Sequence, residues 1–206
     1  MKPERLILAS TSASRRELLA RLRIPFAVAA PRFEEILPPE EFCTPDQVRA
    51  LVLENARGKA MSLRAADPSA VILASDQLAE CEGKVLMKPG TEERALAQLL
   101  RLAGREHRLH TAVVLSEPAT GLVEGEVVTN HLRIRALSEA QLREYVRREQ
   151  PLGAAGSYLS EGLGIALFDY LRGEDPTAII GLPLIATCRL LERAGILVLG
   201  ATEERS

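Results

Sequence analysis

The chain has 206 residues, of which 47% are hydrophobic and 26% charged, and its formal net charge is −2 at pH 7. This length can bury a sizeable core, so we expect one domain over residues 1–206. The balanced charge does not favour a nucleic-acid partner, and no apolar stretch is long enough to cross a bilayer. The apolar segment Leu6–Ala9 is too short for a signal-peptide core, which predicts a cytoplasmic protein.

Short apolar runs alternate with helical patterns in the first third of the chain. Leu6–Ser10 is predicted to be a buried strand. The helix after it has Ser14 and Glu17 at the S-x-x-E spacing of a capping box. The proline-rich segment 31–45 predicts a surface loop, and a second helix is predicted over about 45–65.

The middle of the chain predicts a strand that ends in A-S-D-Q at 74–77, followed by a hairpin-like stretch with Gly83 at its turn. The elements predicted after it are a helix over 91–103 ended by Gly104, an antiparallel strand pair over 107–117 and 125–137 joined at 118–121, a helix from Ser138 with Gln141 completing a capping box, a glycine-rich stretch over 153–164, and a last helix over 184–194.

The order of these elements indicates a fold class. Helices and strands alternate, and at least one strand pair is antiparallel, which favours an α/β domain around a mixed sheet. His107 and His110 are three residues apart on a predicted strand, so they should face opposite sides and a shared metal is not favoured. The three cysteines show no C-x-x-C spacing, so neither a disulfide framework nor a zinc knuckle is predicted.

A hydroxyl-rich turn precedes the first predicted helix. The segment Ser10–Ser14 contains four hydroxyl side chains and is followed by Arg15 and Arg16. A helix N-terminus offers unpaired N–H groups and a positive dipole end to an anion, whereas arginines there oppose the dipole. A bound phosphate would remove that conflict. A solvated basic turn is the alternative interpretation, and no P-loop motif is present.

The second predicted helix has a lysine inside its apolar stripe. Asn55 and Lys59 fall within the stripe rather than opposite it. A lysine on a buried face is costly unless it is paired or faces a wet cleft, which makes Lys59 a candidate site residue. A side chain that merely extends to solvent is the alternative. The stripe consists of Val48, Leu51, Val52, Ala56 and Leu63.

Other charged residues fit the same type of site. Asp76 follows an apolar run at a predicted strand end, where open α/β sheets place ligand crevices, although it could simply cap a turn. Lys88 would add to the positive charge of the two arginines and Lys59, enough for a triphosphate. The carboxylates of the kind that hold magnesium or manganese are Glu34, Glu35, Asp76 and Glu161.

Motifs spread over almost the whole chain carry a family resemblance. They are L-I-L-A-S-T-S-A-S-R-R-E-L-L at 6–19, Glu34-Glu35, G-K-A at 58–60, A-S-D-Q at 74–77, M-K-P at 87–89, A-G-S-Y-L-S-E-G-L-G at 155–164 and I-I-G-L-P-L at 179–184. In their order and spacing the chain resembles the Maf-type nucleotide pyrophosphatases. Within that family, the chain resembles the branch that prefers 7-methylguanosine triphosphate, and the resemblance lies in Gln77 and in the segments 145–171 and 173–184.

The resemblance implies hydrolysis of a nucleoside triphosphate between its α and β phosphates, with Mg²⁺ or Mn²⁺ as cofactor. It also implies an elongated two-lobed α/β fold like that of the inosine triphosphatases, with the nucleotide in the cleft, and a homodimer. Neither a nucleic acid nor a membrane is an expected partner. Carried over by position, Asp76 is the general base, Ser12, Arg15, Arg16, Lys59 and Lys88 bind phosphate, Glu35 lies near the metal, and Ser14, Gln77 and Glu161 bear on base specificity.

Two alternatives stay open beside this interpretation. In the branch that acts on thymidine and uridine triphosphates, Thr follows the aspartate and Gln stands where Glu161 is here. Gln77 and Glu161 therefore favour the methylated guanine. Ser14 stands where that branch commonly has a tryptophan able to stack on a cationic base. The other alternative is a non-catalytic nucleotide-binding regulator of cell division, which would not need Asp76.

Overall fold

The structure is a computed structural model that describes residues 5–39, 43–118, 121 and 123–199. Within those ranges the chain forms one mixed β-sheet with helices on both faces. The strands are β1 Leu6–Ala9, β2 Ala27–Ala29, β3 Val71–Cys81, β4 Lys84–Leu86, β5 Glu106–Ser116, β6 Val123–Ile134 and β7 Phe168–Arg172, and the helices are α1 Ala13–Ala20, α2 Pro45–Arg64, α3 Glu92–Leu102, α4 Glu139–Glu149 and α5 Leu184–Arg193.

The sheet confirms the predicted mixed α/β class. Its order is β2-β1-β3-β5-β6-β7, with β4 paired to β3 outside that path. β1 is parallel to both β2 and β3, and the remaining pairs are antiparallel. The long β5–β6 pair confirms the predicted antiparallel strands, but β7 lies in a segment for which no strand was predicted.

Two helical layers cover the sheet. α2 packs on one face through an apolar cluster that includes Ile72, Ala74 and Val114. On the opposite face, α1 and α5 cover the parallel part of the sheet, and α3 and α4 cover the antiparallel part. β3 is buried on both faces along nearly its whole length, which explains its continuous apolar run at 70–74.

One predicted helix cap is confirmed and another is wrong. The predicted Ser138–Gln141 capping box begins α4, and a Thr44–Gln47 box that was not predicted begins α2. The predicted box of Ser14 and Glu17 is wrong, because Ser12 caps α1 by accepting from the backbone N–H of Arg15. A hydroxyl two residues earlier takes the cap, which places Ser14 inside the first helical turn.

The prediction that the third strand ends at 74–77 is also wrong. β3 continues to Cys81 because β5 is equally long and pairs with it from Ile72 to Glu80. On the other side, pairing with β1 ends at Ala74 and pairing with β4 starts at Ala79. The backbone between these two points therefore has no neighbour among the described strands on that side, and an opening forms there in the sheet.

The loop predicted over 31–45 has no helix or strand over residues 30–39, and its residues 40–42 lie outside the described part of the chain. Residues 119 and 120 of the predicted 118–121 connection lie outside it as well. The hairpin at Gly83 and the helix ended by Gly104 are confirmed, and both glycines have positive φ. Among the described residues, no helix combines the length and apolarity needed to span a membrane.

Candidate active site

A cavity of about 360 Å³ opens beside the unpaired stretch of β3. Its walls come from the β1–α1 turn, the loop around Phe33, α2, β3, the segment after β4 and two segments near 155 and 180. Arg16 is exposed on α1 and is absent from the wall, as is Glu34. The predicted site residues that line the cavity are Ser12, Ser14, Arg15, Glu35, Lys59, Asp76, Gln77, Lys88 and Glu161.

Lys59 joins two carboxylates in the wall of the cavity. Its ammonium donates hydrogen bonds of 2.5 Å to Asp76 Oδ1 and to Glu35 Oε1. Lys59 is 6% exposed and Asp76 5%, so each charge depends on the other for compensation. The pairing explains why the apolar stripe of α2 tolerates a lysine.

The pKa of the Glu35 carboxyl group is lowered from its ordinary value. Its partial burial alone would raise the pKa of the carboxyl group. The hydrogen bond and charge of Lys59, together with the charges of Lys88 and Arg15, outweigh that effect and lower the pKa. Glu35 is therefore held as a carboxylate at the mouth of the site.

Asp76 and its neighbour Gln77 point to opposite faces of β3, because side chains alternate along a strand. Asp76 faces α2 through Lys59, whereas Gln77 contacts the segment before α5. Both line one cavity because none of the described strands pairs with this side of β3 at that point. The break in the sheet thus gives one ligand access to residues from both faces.

Arg15 links α1 to this opening. Its Nε donates to the Gly181 carbonyl at 2.9 Å and its NH1 to the Ser75 carbonyl at 2.7 Å. Burial lowers the pKa of the guanidinium, against the raising effect of Asp76 and Glu35. Because two of its N–H donors bond to backbone carbonyls, the guanidinium is held at the cavity beside the N-terminus of α1. A phosphate bound there would contact the guanidinium and the helix N-terminus together.

Polar groups on the other side of the cavity form a second set. Gln77 Nε2 donates to the Thr111 hydroxyl and to the carbonyls of Ala178 and Ile179, at 3.0, 2.8 and 3.2 Å. Ser14 Oγ donates to Glu161 Oε1 at 3.3 Å. The three positions assigned to base specificity by the resemblance therefore line the same cavity as the cationic residues.

Some wall residues were not predicted. Phe33 lines the cavity and packs on Gly58 so closely that a Cβ on this glycine would lie 2.2 Å from the ring. A glycine in the interior of a helix was the available signal, since it costs stability unless something packs there. Tyr158 also lines the cavity, and its hydroxyl is hydrogen-bonded to His107 Nε2 at 3.0 Å.

His107 and His110 have separate partners, as expected for two residues on opposite faces of a strand. His110 Nδ1 is hydrogen-bonded to Thr129 Oγ1 at 3.0 Å. In the part of the chain that the structure describes, no group of three or more His, Cys, Asp or Glu side chains could hold a metal ion. Glu35 and Asp76 are close because they share one ammonium.

Most of the chain is similar to one protein family and to curated members of it. A family model described as "Maf-like protein" matches residues 5–194. A 7-methyl-GTP pyrophosphatase of Albidiferax ferrireducens is 48% identical over 96% of both chains. Proteins of the same name from Burkholderia pseudomallei and Aromatoleum aromaticum are 46% and 43% identical, over 97% and 96% of this chain and 92% and 100% of their own.

A solved HAM1 protein from Coxiella burnetii is 19% identical, with a TM-score of 0.41 over 65% of this chain and 74% of its own. At that TM-score the likeness carries no conclusion.

Proposed function

Since the chain belongs to the family of Maf-like proteins, we propose that it is a pyrophosphatase that hydrolyses 7-methyl-GTP to 7-methyl-GMP and pyrophosphate. The identities of 43% to 48% to proteins of that name, over nearly the full chain, support this substrate. One observation carries the chemistry: Asp76, bonded to Lys59, shares a cavity with Arg15 and the N-terminus of α1.

The reaction needs little covalent chemistry from the protein. A water oxygen forms a bond to the α-phosphorus, the bond from that phosphorus to the α,β-bridging oxygen breaks, and pyrophosphate leaves. Asp76 takes the proton of the water as general base. Arg15, Lys59 and Lys88 balance the charge of the phosphates, since phosphoryl transfer depends mainly on positioning and electrostatic stabilisation.

Ser12 and Arg16 belong to the phosphate-binding part of the proposal. The Ser12 hydroxyl already caps α1, so Ser12 helps chiefly by directing the first N–H groups of the helix to the cavity. Arg16 is exposed next to Arg15, and it would meet only phosphate oxygens that extend out of the cavity.

A divalent cation fits the carboxylates of the site. Glu35 and Asp76 bond to one ammonium, so their carboxylates converge on a single positive charge. Mg²⁺ and Mn²⁺ prefer such oxygen ligands, and one or two carboxylates with substrate phosphates are a usual set for Mg²⁺. When bound, the metal would neutralise phosphate charge and make a bound water more acidic.

The polar groups opposite the phosphate side suit a guanine base. Glu161 offers carboxylate oxygens, and Gln77 can offer its amide oxygen because its nitrogen is already bonded. Guanine has N–H donors on its Watson–Crick edge to match these acceptors. The Glu161 charge also suits the positive charge of an N7-methylated base, although Ser14 supplies no aromatic stacking partner.

A uridine or thymidine triphosphate is the second candidate. It is favoured only by Ser14, which leaves the base without the tryptophan common in the methylguanine branch. A purely regulatory role does not explain the buried Asp76–Lys59 pair, because nucleotide binding without hydrolysis needs no general base. Action in the cytoplasm and as a homodimer remain predictions from the resemblance and from the composition.

A panel assay tests the proposal. Purified protein with Mg²⁺ or Mn²⁺ is incubated with 7-methyl-GTP, GTP, UTP and dTTP, and products are separated by ion-exchange chromatography. We expect pyrophosphate and the monophosphate rather than orthophosphate, with the highest kcat/KM for 7-methyl-GTP. A higher value for UTP or dTTP would favour the second candidate, and no hydrolysis of any nucleotide would refute both.

A further inference from the structure

A buried aspartate holds the segment that leads into α5. Asp175 is 2% exposed and lies ten residues before Ile185, the residue of α5 that it contacts. Its Oδ1 accepts from the backbone N–H of Thr177 at 3.0 Å and from the Thr177 hydroxyl at 2.7 Å. Its Oδ2 accepts from the backbone N–H of Ile185 at 2.7 Å. The carboxylate therefore closes the segment into a loop.

Thr177 completes this closure at the start of α5. The residue at the cap position is Pro183, which makes no side-chain capping bond. The first free N–H groups of the helix bond instead to residues from earlier in the chain, Leu184 N to Thr177 Oγ1 at 2.7 Å and Ile185 N to Asp175. Asp175 and Thr177 are thus a remote cap for α5.

The loop that they close presents carbonyl groups to the cavity residues. The Ala178 carbonyl accepts from Gln77 Nε2 at 2.8 Å and from Thr111 Oγ1 at 2.9 Å. The Ile179 carbonyl accepts from Gln77 as well, and the Gly181 carbonyl accepts from Arg15. Among the described segments, this loop alone offers backbone carbonyls that accept hydrogen bonds from both Gln77 and Arg15.

These carbonyls decide which end of the Gln77 amide a ligand can meet. A carbonyl oxygen cannot donate, so a reversed amide would place Oε1 against two other oxygens. Nε2 is therefore fixed towards Ala178 and Ile179. Oε1 lies 4.0 Å from the point where a Cβ on Gly181 would stand, and both residues line the cavity. Gln77 thus offers the substrate an acceptor and no donor.

We propose that Asp175 and Thr177 are positioning residues that set base selectivity, because they hold the Ala178 and Ile179 carbonyls that fix the Gln77 amide. This inference rests on the proposed function for its substrates. If the carbonyls loosen, the amide can turn and present its NH₂ group. The site then loses an acceptor suited to guanine and gains a donor suited to the carbonyl groups of uracil.

The test uses two substitutions at one position. Thr177→Val keeps the branched shape and the backbone N–H bond to Asp175, but it removes the two bonds of the hydroxyl, to Asp175 Oδ1 and from the Leu184 N–H. Thr177→Ser keeps the hydroxyl. We expect Thr177→Val to lower the ratio of kcat/KM for 7-methyl-GTP over UTP about tenfold, as for one lost hydrogen bond, and Thr177→Ser to preserve it. Ser138→Ala removes a comparable cap at α4 and should leave the ratio unchanged.

A second measurement needs no turnover. The Gln77 side-chain NH₂ signal, assigned in ¹H–¹⁵N spectra by its loss in Gln77→Glu, should exchange with solvent faster in Thr177→Val than in wild type or Thr177→Ser. Unaltered exchange in folded Thr177→Val would overturn the proposal, whatever the protein hydrolyses. A fall in kcat/KM that is equal for both substrates would also overturn it, because a merely structural role has that effect.

Discussion

The ammonium of Lys59 bonds to Asp76 at 2.5 Å, and the two side chains are only 8% and 7% exposed. The lysine belongs to α2 and the aspartate to the middle of β3, so the pair exists only when the helix packs on the sheet. The same ammonium reaches Glu35 in the proline-rich loop. Three distant segments are thereby fixed around one positive charge at the cavity.

Asp76→Asn should strongly reduce turnover with little loss of nucleotide binding. The amide keeps the shape but cannot accept the proton of the water, and loss of a general base typically costs about 10²–10⁴-fold in rate. We expect kcat to fall by that factor, measured by pyrophosphate release, with Kd for a non-hydrolysable nucleotide changed only a few-fold. The control is Glu34→Gln, an exposed residue outside the cavity wall. Normal turnover in folded Asp76→Asn would assign the base to another group.

Lys59→Met should bind metal more tightly than the wild type when no nucleotide is present. The ammonium lies between Glu35 and Asp76, where we propose that a divalent cation binds, so its removal leaves two carboxylates that a cation would stabilise. We expect at least a tenfold lower Kd for Mn²⁺ by electron paramagnetic resonance, and a larger rise of Tm with Mn²⁺ than in wild type.

Lys88→Met is the matched control for that measurement, because it removes the same charge from the cavity wall without touching the carboxylate pair. An equal gain in Mn²⁺ affinity in both variants would show a general charge effect rather than displacement of Lys59.

Glu161→Gln should weaken selectivity for the methylated guanine. The change removes a negative charge that suits a cationic base and replaces one acceptor oxygen by a donor. We expect the kcat/KM ratio of 7-methyl-GTP over UTP to fall about tenfold or more, on the scale of one charged hydrogen bond. Ser14→Ala removes the hydroxyl bonded to Glu161 and should change the ratio less. The assignment is contradicted if Glu161→Gln leaves the ratio intact.

Gly58→Ala should be harmful although alanine normally favours a helix by about 1 kcal/mol over glycine. The new Cβ would stand 2.2 Å from the Phe33 ring, which must then move from the cavity wall. We expect a lower free energy of unfolding in urea and a raised KM. In the Phe33→Ala background the same substitution should stabilise the protein, and a destabilisation there would rule out this contact as the cause.

Stability should fall in mild acid because of two buried histidines. Burial lowers the pKa of His107 and of His110 from 6.5 to about 4. Between these values the unfolded chain binds protons that the folded chain does not, so the stabilisation is complete above pH 6.5 and is lost as pH falls towards 4. Each histidine can contribute roughly 2–3 kcal/mol to this loss.

Urea unfolding followed by circular dichroism between pH 7 and pH 4 measures this dependence. In His107→Gln the slope of unfolding free energy against pH should be clearly smaller than that of the wild type, since only one of the two buried histidines remains. A slope that does not change in this variant would place the acid sensitivity in other groups.

Much of this protein follows from the sequence itself. The apolar stripe of α2 with Lys59 inside it, the capping box at Ser138 and the antiparallel β5–β6 pair depend on neighbouring residues and on periodicities of 3.6 and 2, which local sequence expresses directly. The motifs at 6–19 and 74–77 likewise indicated the family and the residues of the cavity. Asp76 was predicted to be a site residue because it follows an apolar run at an expected strand end. That expected strand end was wrong, since β3 continues to Cys81.

Only the tertiary structure decided how these residues meet. Whether β3 stops at Gln77 depends on the length of β5, and Ser14, which lies inside α1 because Ser12 is the cap, meets Glu161 only in the folded chain. A local sequence pattern cannot predict such contacts, because the two residues in contact are separated by tens to more than a hundred positions in the chain. Likewise, the orientation of the Gln77 amide is set by two carbonyls beyond residue 177, which become its neighbours only when α5 packs against the sheet.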